Sequence, residues 1–391
     1  MSLKYIKPFD GLRGIGALFI IAYHWPGQII RISHGWEFMQ LFFVMSGYLI
    51  TMVLQEERDK FPFKRYALRF YLKRSLRLFP LYFVYLFFWL AVYWMLPDNN
   101  PLKEGVEEVH RHAAWLFTYT YNFMTMTNFL RDVDYSSGLL STHLWTLSLE
   151  EQFYLVFPFI VFFLNKAQLR KALLFAVVAA PLLRVICYFV FRHLNPDDPF
   201  WIAQNLVRMP FLQMDSLAFG ALLAVYKFEK IENPVKIFRW ATAGIVLIYA
   251  GNILYTKYVQ GISYYELTFG KKIAENWMTH NYLFVYIITM VNAWCALMLL
   301  CVIRGHRMSW LLESRPLVFI GRHSYAIYLF HLPLLFLFFA LASAVTPLHD
   351  DHKRMLLEIP LFLLYLSFVC GFAYLSLRYF ESWFLKFKNR Y

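Results

Sequence analysis

The feature that most constrains this chain is a series of long apolar runs, separated along 391 residues by short polar connections. A helix needs about 20 apolar residues to cross the hydrocarbon core of a bilayer. Ten runs reach that length, so the sequence predicts an all-α integral membrane protein, a bundle of about ten transmembrane helices. The runs lie at roughly 11–30, 36–55, 78–96, 144–164, 171–191, 209–226, 237–256, 282–303, 324–345 and 359–380.

The composition excludes most other classes of protein. Apolar residues make up 60% of the chain and charged residues only 16%, whereas a soluble domain is roughly half apolar and about a quarter charged. A soluble α/β enzyme, a coiled coil, a disordered chain and a secreted disulfide scaffold are therefore excluded. The four cysteines lie in apolar runs without C-x-x-C spacing, which indicates packing residues rather than disulfides or metal ligands.

The net charge of +13 is explained by the topology of the chain, so nucleic acid is not an expected partner. With the N-terminus inside, the inner segments hold 25 of the 38 Lys and Arg residues, and the outer loops hold 11. This bias predicts that both termini are cytoplasmic and that the chain crosses the cytoplasmic (inner) membrane many times.

The short connections predict one transmembrane domain over residues 1–391, with no fused soluble domain. The longest connection, 97–143, is expected on the extracytoplasmic side. It contains a further apolar stretch, Trp115 to Leu130, which is expected to lie along the interface or to re-enter the protein rather than to span the membrane.

Two polar residues in the first run, Arg13 and His24, are costly in a membrane. A charged group in the hydrocarbon region costs about 2.5–3.5 kcal/mol on insertion scales. Arg13 and His24 are separated by three helical turns plus about 20°, so both side chains share one face of the helix. They lie about 16 Å apart along its axis. A dry site keeps a histidine neutral, the form that accepts a proton from a hydroxyl group. The alternative is a histidine bonded to a neighbouring helix, beside an arginine that only sets orientation.

A basic cluster runs from Lys64 to Pro80 and includes Arg74 and Arg77, which share a helix face at the start of the third run. Guanidinium groups bind phosphates through paired hydrogen bonds. The cluster therefore indicates either a phosphate-binding site or an anchor for anionic lipids.

The segment from His143 to Tyr154 carries Glu150 and Glu151 into the fourth run. Such carboxylates line a cavity, pair with cations, or cap the helix in water. A carboxylate here could also orient a histidine, as the third member of a catalytic triad does.

Other polar residues within the runs are more readily explained as structural than as catalytic. Arg208 and Asp215 lie two helical turns apart, which predicts an ion pair between them or with the arginines of the basic cluster. His331 lies inside the ninth run.

Taken together, these segments resemble membrane acyltransferase family 3, the integral-membrane O-acyltransferases of cell-envelope and other glycans. Several motifs in the order of that family carry the resemblance over most of the chain, with Thr146 in place of the usual Ser as a mild departure. The motifs are Phe9-Asp10-Gly11-Leu12-Arg13-Gly14 with His24, Phe42-Phe43-Val44-Met45-Ser46-Gly47-Tyr48, Arg74-x-x-Arg77-x-x-Pro80, Trp145-Thr146-Leu147-Ser148-Leu149-Glu150, Ser324 to His331, and Arg378 to Glu381.

The resemblance implies transfer of an acyl group, most commonly acetyl, from cytoplasmic acyl-CoA to a hydroxyl of a cell-surface glycan or sugar conjugate. Arg13, Arg74 and Arg77 would bind the acyl-CoA, and His24 would act at the acyl carbon, with Glu150 orienting His24 or binding the acceptor. Asp10, Ser46, Trp145, Asp215 and His331 are expected to support the site. Acyl-CoA is then a co-substrate, and no bound cofactor or metal is expected. A separate extracytoplasmic protein could be a partner.

Alternatives remain open at this point. Without a G-x-S-x-G motif or a nearby cysteine, direct transfer is favoured over a covalent intermediate, and Ser46-Gly47 is favoured as a close packing contact over Ser46 as an acyl carrier. The connection 97–143, with His110, His112, Asp132 and Asp134, is either a site of acceptor selectivity or an ordinary solvated loop. The rival function is a transporter or flippase for a lipid-linked sugar or small solute, although the prolines show no matched halves.

Overall fold

All regular elements in the described part of the computed structural model are helical, which confirms the all-α fold class. The structure describes residues 5–27, 29–30, 35–128, 140–226, 228, 231–258, 283–305, 309–345 and 351–388. The helices are α1 Lys7–His24, α2 Trp36–Arg58, α3 Phe63–Met95, α4 Pro101–Arg111, α5 Ala113–Phe117, α6 Tyr121–Asn128, α7 Trp145–Phe163, α8 Lys166–Leu194, α9 Pro199–Arg208, α10 Met214–Tyr226, α11 Pro234–Tyr258, α12 Leu283–Ile303, α13 Ser309–Leu312, α14 Arg315–Arg322, α15 Ser324–Val345, α16 Asp351–Leu375 and α17 Ser382–Lys388.

Eight helical stretches within the described residues are long and apolar enough to cross a membrane. Many large apolar side chains on these helices face outward, as expected of a protein whose solvent is lipid. The stretches are Trp36–Arg58, Phe63–Met95, Thr142–Phe163, Lys166–Leu194, Pro234–Tyr255, Val285–Ile303, Ser324–Ala342 and Leu357–Phe387.

Two of the ten predicted spans differ from this pattern. Helix α1 has 18 residues and carries Lys7, Asp10 and Arg13. Helix α10 has 13 residues, which is about 20 Å of helix against a hydrocarbon core of about 30 Å. Most of α10 is buried, and it packs mainly against α2 and α8, so it is an internal helix. The count of ten spans and the cytoplasmic termini therefore stay predictions.

Glycines allow α1 to touch α14 along their backbones. A Cβ added to Gly14 would lie 2.2 Å from the carbonyl oxygen of Leu317, and one added to Gly321 would lie 1.7 Å from that of Asp10. No side chain fits in such a gap. The F-D-G-L-R-G motif therefore fixes α1 against the segment that precedes α15.

Glycines also allow α2 and α10 to touch along their backbones. A Cβ on Gly47 would lie 2.1 Å from the carbonyl oxygen of Leu217, and one on Gly220 would lie 1.9 Å from that of Val44. Small residues at helix contacts are typical of membrane bundles, where close backbone packing replaces the hydrophobic effect as the driving force.

We predict that Gly220→Ala destabilises the protein by about 1–3 kcal/mol, because the added methyl group forces α10 away from α2. Gly244→Ala on α11 is the matched control, since nothing lies within 4 Å of an added Cβ there, and its stability should stay equal or rise by up to about 1 kcal/mol. Thermal unfolding in detergent measures both. Equal melting temperatures for the two variants would contradict the close contact.

The connection 97–143 forms a helical cap over the bundle where the structure describes it. Helices α4 and α5 pack against α3, and α6 packs against α7. His112 and Glu108 are buried within the cap. Burial lowers the pKa of His112 to about 4 and raises the pKa of Glu108, whose carboxylate accepts a hydrogen bond of 2.7 Å from the Tyr121 hydroxyl. Asp132 and Asp134 lie outside the described residues.

Candidate active site

A cavity of about 1060 Å³ runs between α1, α2, α3, α7 and the start of α15. Within α1 its lining runs from Phe9 to Ile20, a rise of about 16 Å, and Tyr5 and Ile6 continue it before the helix begins. We call the end lined by Tyr5, Glu56 and Lys60 the near end, and the end lined by Ile20, Thr146 and Tyr328 the far end. A passage of this length can hold an elongated ligand.

The three arginines that the sequence singles out line this one cavity, together with Glu150 and Ser46. Arg13 lies in α1, whereas Arg74 and Arg77 lie in α3. The fold therefore brings together, from helices that are far apart in sequence, the groups that the motifs predicted to act together.

Arg74 and Arg77 differ from the other cations of the cavity because no carboxylate of a described residue lies within ion-pair distance of them, although Glu150 interacts electrostatically with Arg74 from farther away. Lys60 and Lys73 form ion pairs of 3.2 and 2.7 Å with Glu56 and Glu57. None of the ion pairs between described residues involves Arg74 or Arg77; the Arg74 guanidinium lies 5.0 Å from the centre of the Tyr154 ring. Guanidinium groups that line a cavity are suited to bind an anion such as phosphate.

Arg13 is held in place by Asp10. The Arg13 guanidinium lies 3.1 Å from the Asp10 carboxylate, which also accepts a hydrogen bond of 2.6 Å from the Tyr5 hydroxyl. Arg322 of α14 lies 3.4 Å from the same carboxylate. Asp10 thus orients Arg13 toward the cavity and ties α1 to α14.

Glu150 forms a hydrogen bond with Tyr154, whereas the comparison with a catalytic triad suggested His24 as its partner. Its carboxylate accepts a hydrogen bond of 3.2 Å from the Tyr154 hydroxyl, which lies 2.6 Å from the Ser46 hydroxyl. Within the described residues, no hydrogen bond joins Glu150 to His24. The structure thus places the Glu150 carboxylate on the Tyr154 hydroxyl, and a role in orienting His24 or in binding the acceptor stays a prediction.

His24 lies one turn beyond the far end of the cavity. Its Nδ1 atom is 3.0 Å from the carbonyl oxygen of Ile20, which lines the cavity. The same Nδ1 atom is 3.3 Å from Nε2 of His331 on α15. A second helix therefore supplies the partner of the His24 ring.

A third histidine, His143, completes this cluster, and the sequence reasoning gave it no role. Its ring centre lies 5.2 Å from that of His331, and its Nε2 atom lies 3.0 Å from the carbonyl oxygen of Leu329. Its position two residues before the Trp145 motif was the only signal that could have pointed to it. In the part of the chain that the structure describes, no group of three His, Cys, Asp or Glu residues is arranged to hold a metal ion.

Trp145 is a packing residue at the start of α7. Its ring is buried and meets Phe43 edge-on at 6.3 Å, and the Arg208 guanidinium lies 6.0 Å from its centre. Trp145 therefore fixes the start of α7, directly after the turn Thr142–Leu144 that carries His143.

The predicted ion pair of Asp215 with Arg208 or with the basic cluster is wrong. Asp215 pairs instead with Arg184 of α8 at 2.6 Å, and both side chains are fully buried. Thr289 bonds to both of them, at 2.6 and 2.8 Å. Arg184 was visible in the sequence as a lone cation within an apolar run, but only the packing of α10 against α8 reveals its partner.

We predict that Asp215→Leu destabilises the protein by about 3–5 kcal/mol, because it leaves a buried guanidinium without a counter-charge. The double variant Arg184→Leu with Asp215→Leu should recover most of that loss, since an apolar pair often replaces a buried ion pair at little cost. Thermal unfolding of both variants tests this, with the exposed Arg192→Leu on α8 as control. A double variant no more stable than the single one would contradict the pairing.

Comparison with known proteins extends these observations. Residues 6–378 match the sequence model of an acyltransferase domain, that of acyltransferase family 3. The chain is 28% identical to the peptidoglycan O-acetyltransferase OatA of Listeria monocytogenes over 85% of its own length and 50% of that protein. It is 27% identical to the O-acetyltransferase OatA of Staphylococcus aureus over 85% of its length and 51% of the relative.

A provisionally named O-acetyltransferase of Staphylococcus aureus (strain COL) is 27% identical over 98% of this chain and 58% of the relative. The chain thus spans between half and three fifths of the length of these curated relatives. No solved structure matches it.

Proposed function

The chain belongs to acyltransferase family 3, and we propose that it is a membrane O-acetyltransferase that uses cytoplasmic acetyl-CoA to acetylate a hydroxyl group of an extracytoplasmic glycan. One observation carries the proposal: Arg74 and Arg77 line the same cavity as Ile20, whose carbonyl oxygen lies 3.0 Å from the ring of His24 one turn farther along α1.

Arg13, Arg74 and Arg77 bind the phosphates of the donor in this proposal. The distance along α1 from Arg13 to His24 is about 16 Å. The pantetheine arm of coenzyme A is comparable to four or five extended residues, roughly 16 Å. A donor whose pyrophosphate lies against the arginines therefore brings its thioester to the level of His24.

His24 acts as the general base on the acceptor. Its neutral ring accepts the hydroxyl proton at Nε2 while the acceptor oxygen bonds to the thioester carbonyl carbon. The tetrahedral intermediate then collapses with cleavage of the carbon–sulfur bond, and the departing thiolate takes the proton from Nε2. The products are the acetyl ester and free coenzyme A, and His24 returns to its starting form.

Glu150 and Ser46 bind rather than react in this scheme. The Glu150 carboxylate, the Tyr154 hydroxyl and the Ser46 hydroxyl form one hydrogen-bonded chain along the cavity wall. That chain offers polar contacts to the amide groups of a pantetheine arm, with Glu150 the residue best suited to accept from an N–H group.

A glycan acceptor is supported by the named activity of the Listeria relative, a peptidoglycan O-acetyltransferase. The predicted topology puts the far end of the cavity on the extracytoplasmic side, where such an acceptor lies. The protein then resides in the cytoplasmic membrane, and a separate extracytoplasmic protein that assists the transfer is part of the proposal.

The test uses purified protein in liposomes, with labelled acetyl-CoA inside and peptidoglycan fragments outside. Removal of a general base typically costs about 100- to 10,000-fold in rate, so His24→Ala should lose transfer to that extent. His193→Ala, an exposed histidine at the end of α8, is the control and should transfer at the wild-type rate.

Undiminished transfer by His24→Ala would exclude His24 as the base. Flux of an unmodified sugar conjugate across the bilayer, without release of free coenzyme A, would favour the rival transporter.

We predict that Arg77→Gln raises the KM for acetyl-CoA roughly 10- to 100-fold with little change in kcat, because a hydrogen bond to a charged group contributes about 1.5–3 kcal/mol. Arg65→Gln is the matched control, since Arg65 lies on α3 but stacks on Phe61 outside the cavity. Steady-state kinetics measure both variants. An equal effect of the two would point to a general attraction of the basic surface rather than to a site.

A further inference from the structure

We propose that His331 is the positioning residue for His24, accepting the His24 Nδ1 proton and so filling the role that a carboxylate fills in a catalytic triad. This inference rests on the proposed function, in which His24 is the general base. It adds a residue on a second helix that holds the His24 ring in place and favours the tautomer that the Ile20 carbonyl also requires.

The hydrogen bonds determine the tautomer of each ring. A carbonyl oxygen can only accept, so the His24 Nδ1 atom, 3.0 Å from the Ile20 carbonyl oxygen, carries a proton. The His331 Nδ1 atom, 2.6 Å from the Tyr328 carbonyl oxygen, carries one for the same reason. In a neutral ring the other nitrogen then has a free lone pair.

These two assignments make the contact between the histidines complementary. His24 presents an N–H group at Nδ1, and His331 presents a lone pair at Nε2, 3.3 Å away. The His24 proton is therefore shared between the Ile20 carbonyl and His331. The remaining nitrogen of His24, Nε2, keeps its lone pair and makes no hydrogen bond to a described residue. It is therefore the nitrogen that can accept the hydroxyl proton of the acceptor.

His331 is held rigidly enough to orient another ring. Its side chain is 1% exposed, and the Tyr365 hydroxyl donates to its backbone carbonyl. The Tyr328 hydroxyl donates to the carbonyl of His143, at 2.8 Å, which fixes this turn of α15 to the start of α7. A positioning residue must itself be locked by its surroundings.

A neutral histidine suits this position better than a carboxylate. Among the described residues, the groups that hydrogen-bond to the His24 ring are the Ile20 carbonyl and His331. A carboxylate here would add an ion to a buried site, at a cost of several kcal/mol. When His24 holds the acceptor proton, its positive charge spreads through the shared Nδ1 proton toward His331, and the ring becomes neutral again when the departing thiolate takes the Nε2 proton.

The deciding experiment compares two amides at position 331. In His331→Gln the amide oxygen reaches the place of Nε2 and preserves an acceptor for His24, whereas in His331→Asn the amide takes the place of Nδ1 and preserves only the bond to Tyr328. We expect His331→Asn to lower kcat about 100-fold, the scale of a misplaced catalytic group, with the KM for acetyl-CoA within about threefold of wild type. His331→Gln should keep kcat within about tenfold.

The controls separate this inference from the function on which it rests. Thermal unfolding and calorimetric binding of coenzyme A establish that both variants are folded and bind the donor. If His24→Ala abolishes transfer and the two amides are equally impaired or equally active, the positioning role is overturned and the proposed function stands. If His24→Ala transfers at the wild-type rate, the proposed function itself has failed.

Discussion

Every polar side chain that this chain carries into a bilayer must find its partner inside the protein, because lipid offers none. The structure meets that constraint by close backbone contacts between helices. Gly14 and Gly321 bring α1 against α14, and Gly47 and Gly220 bring α2 against α10. The space left between α1, α2, α3 and α7 is the cavity. Arg13, Arg74, Arg77 and Glu150 line that cavity and His24 packs at its end, whereas Arg184 and Asp215 neutralise each other elsewhere in the bundle.

Much of this arrangement could be predicted from local sequence. Apolar run lengths predict the helices, and the spacing of Arg13 and His24 predicts one stripe along α1. Contacts between distant segments could not be predicted in the same way. His24 and His331 are 307 residues apart, and Asp215 pairs with Arg184 rather than with its neighbour Arg208. Periodicity identifies the face of a helix, but not which helix it meets.

The apolar runs also predicted more spans than the described helices support by length and composition. Helix α10 is as apolar as a span but has only 13 residues and is mostly buried. Apolarity alone cannot separate a helix that faces lipid from one that faces other helices. Local sequence pattern thus indicates the site residues, whereas the packing of the helices provides their partners.

The central claim is that one elongated donor joins Arg74 and Arg77 to His24 through the cavity. Electron cryomicroscopy of the protein in lipid nanodiscs with coenzyme A tests it most directly. The account predicts density for the pyrophosphate within hydrogen-bond distance of the two guanidinium groups, and for the thiol sulfur beside Nε2 of His24. Coenzyme A bound outside the cavity, or with its phosphates at the His24 end, would contradict it.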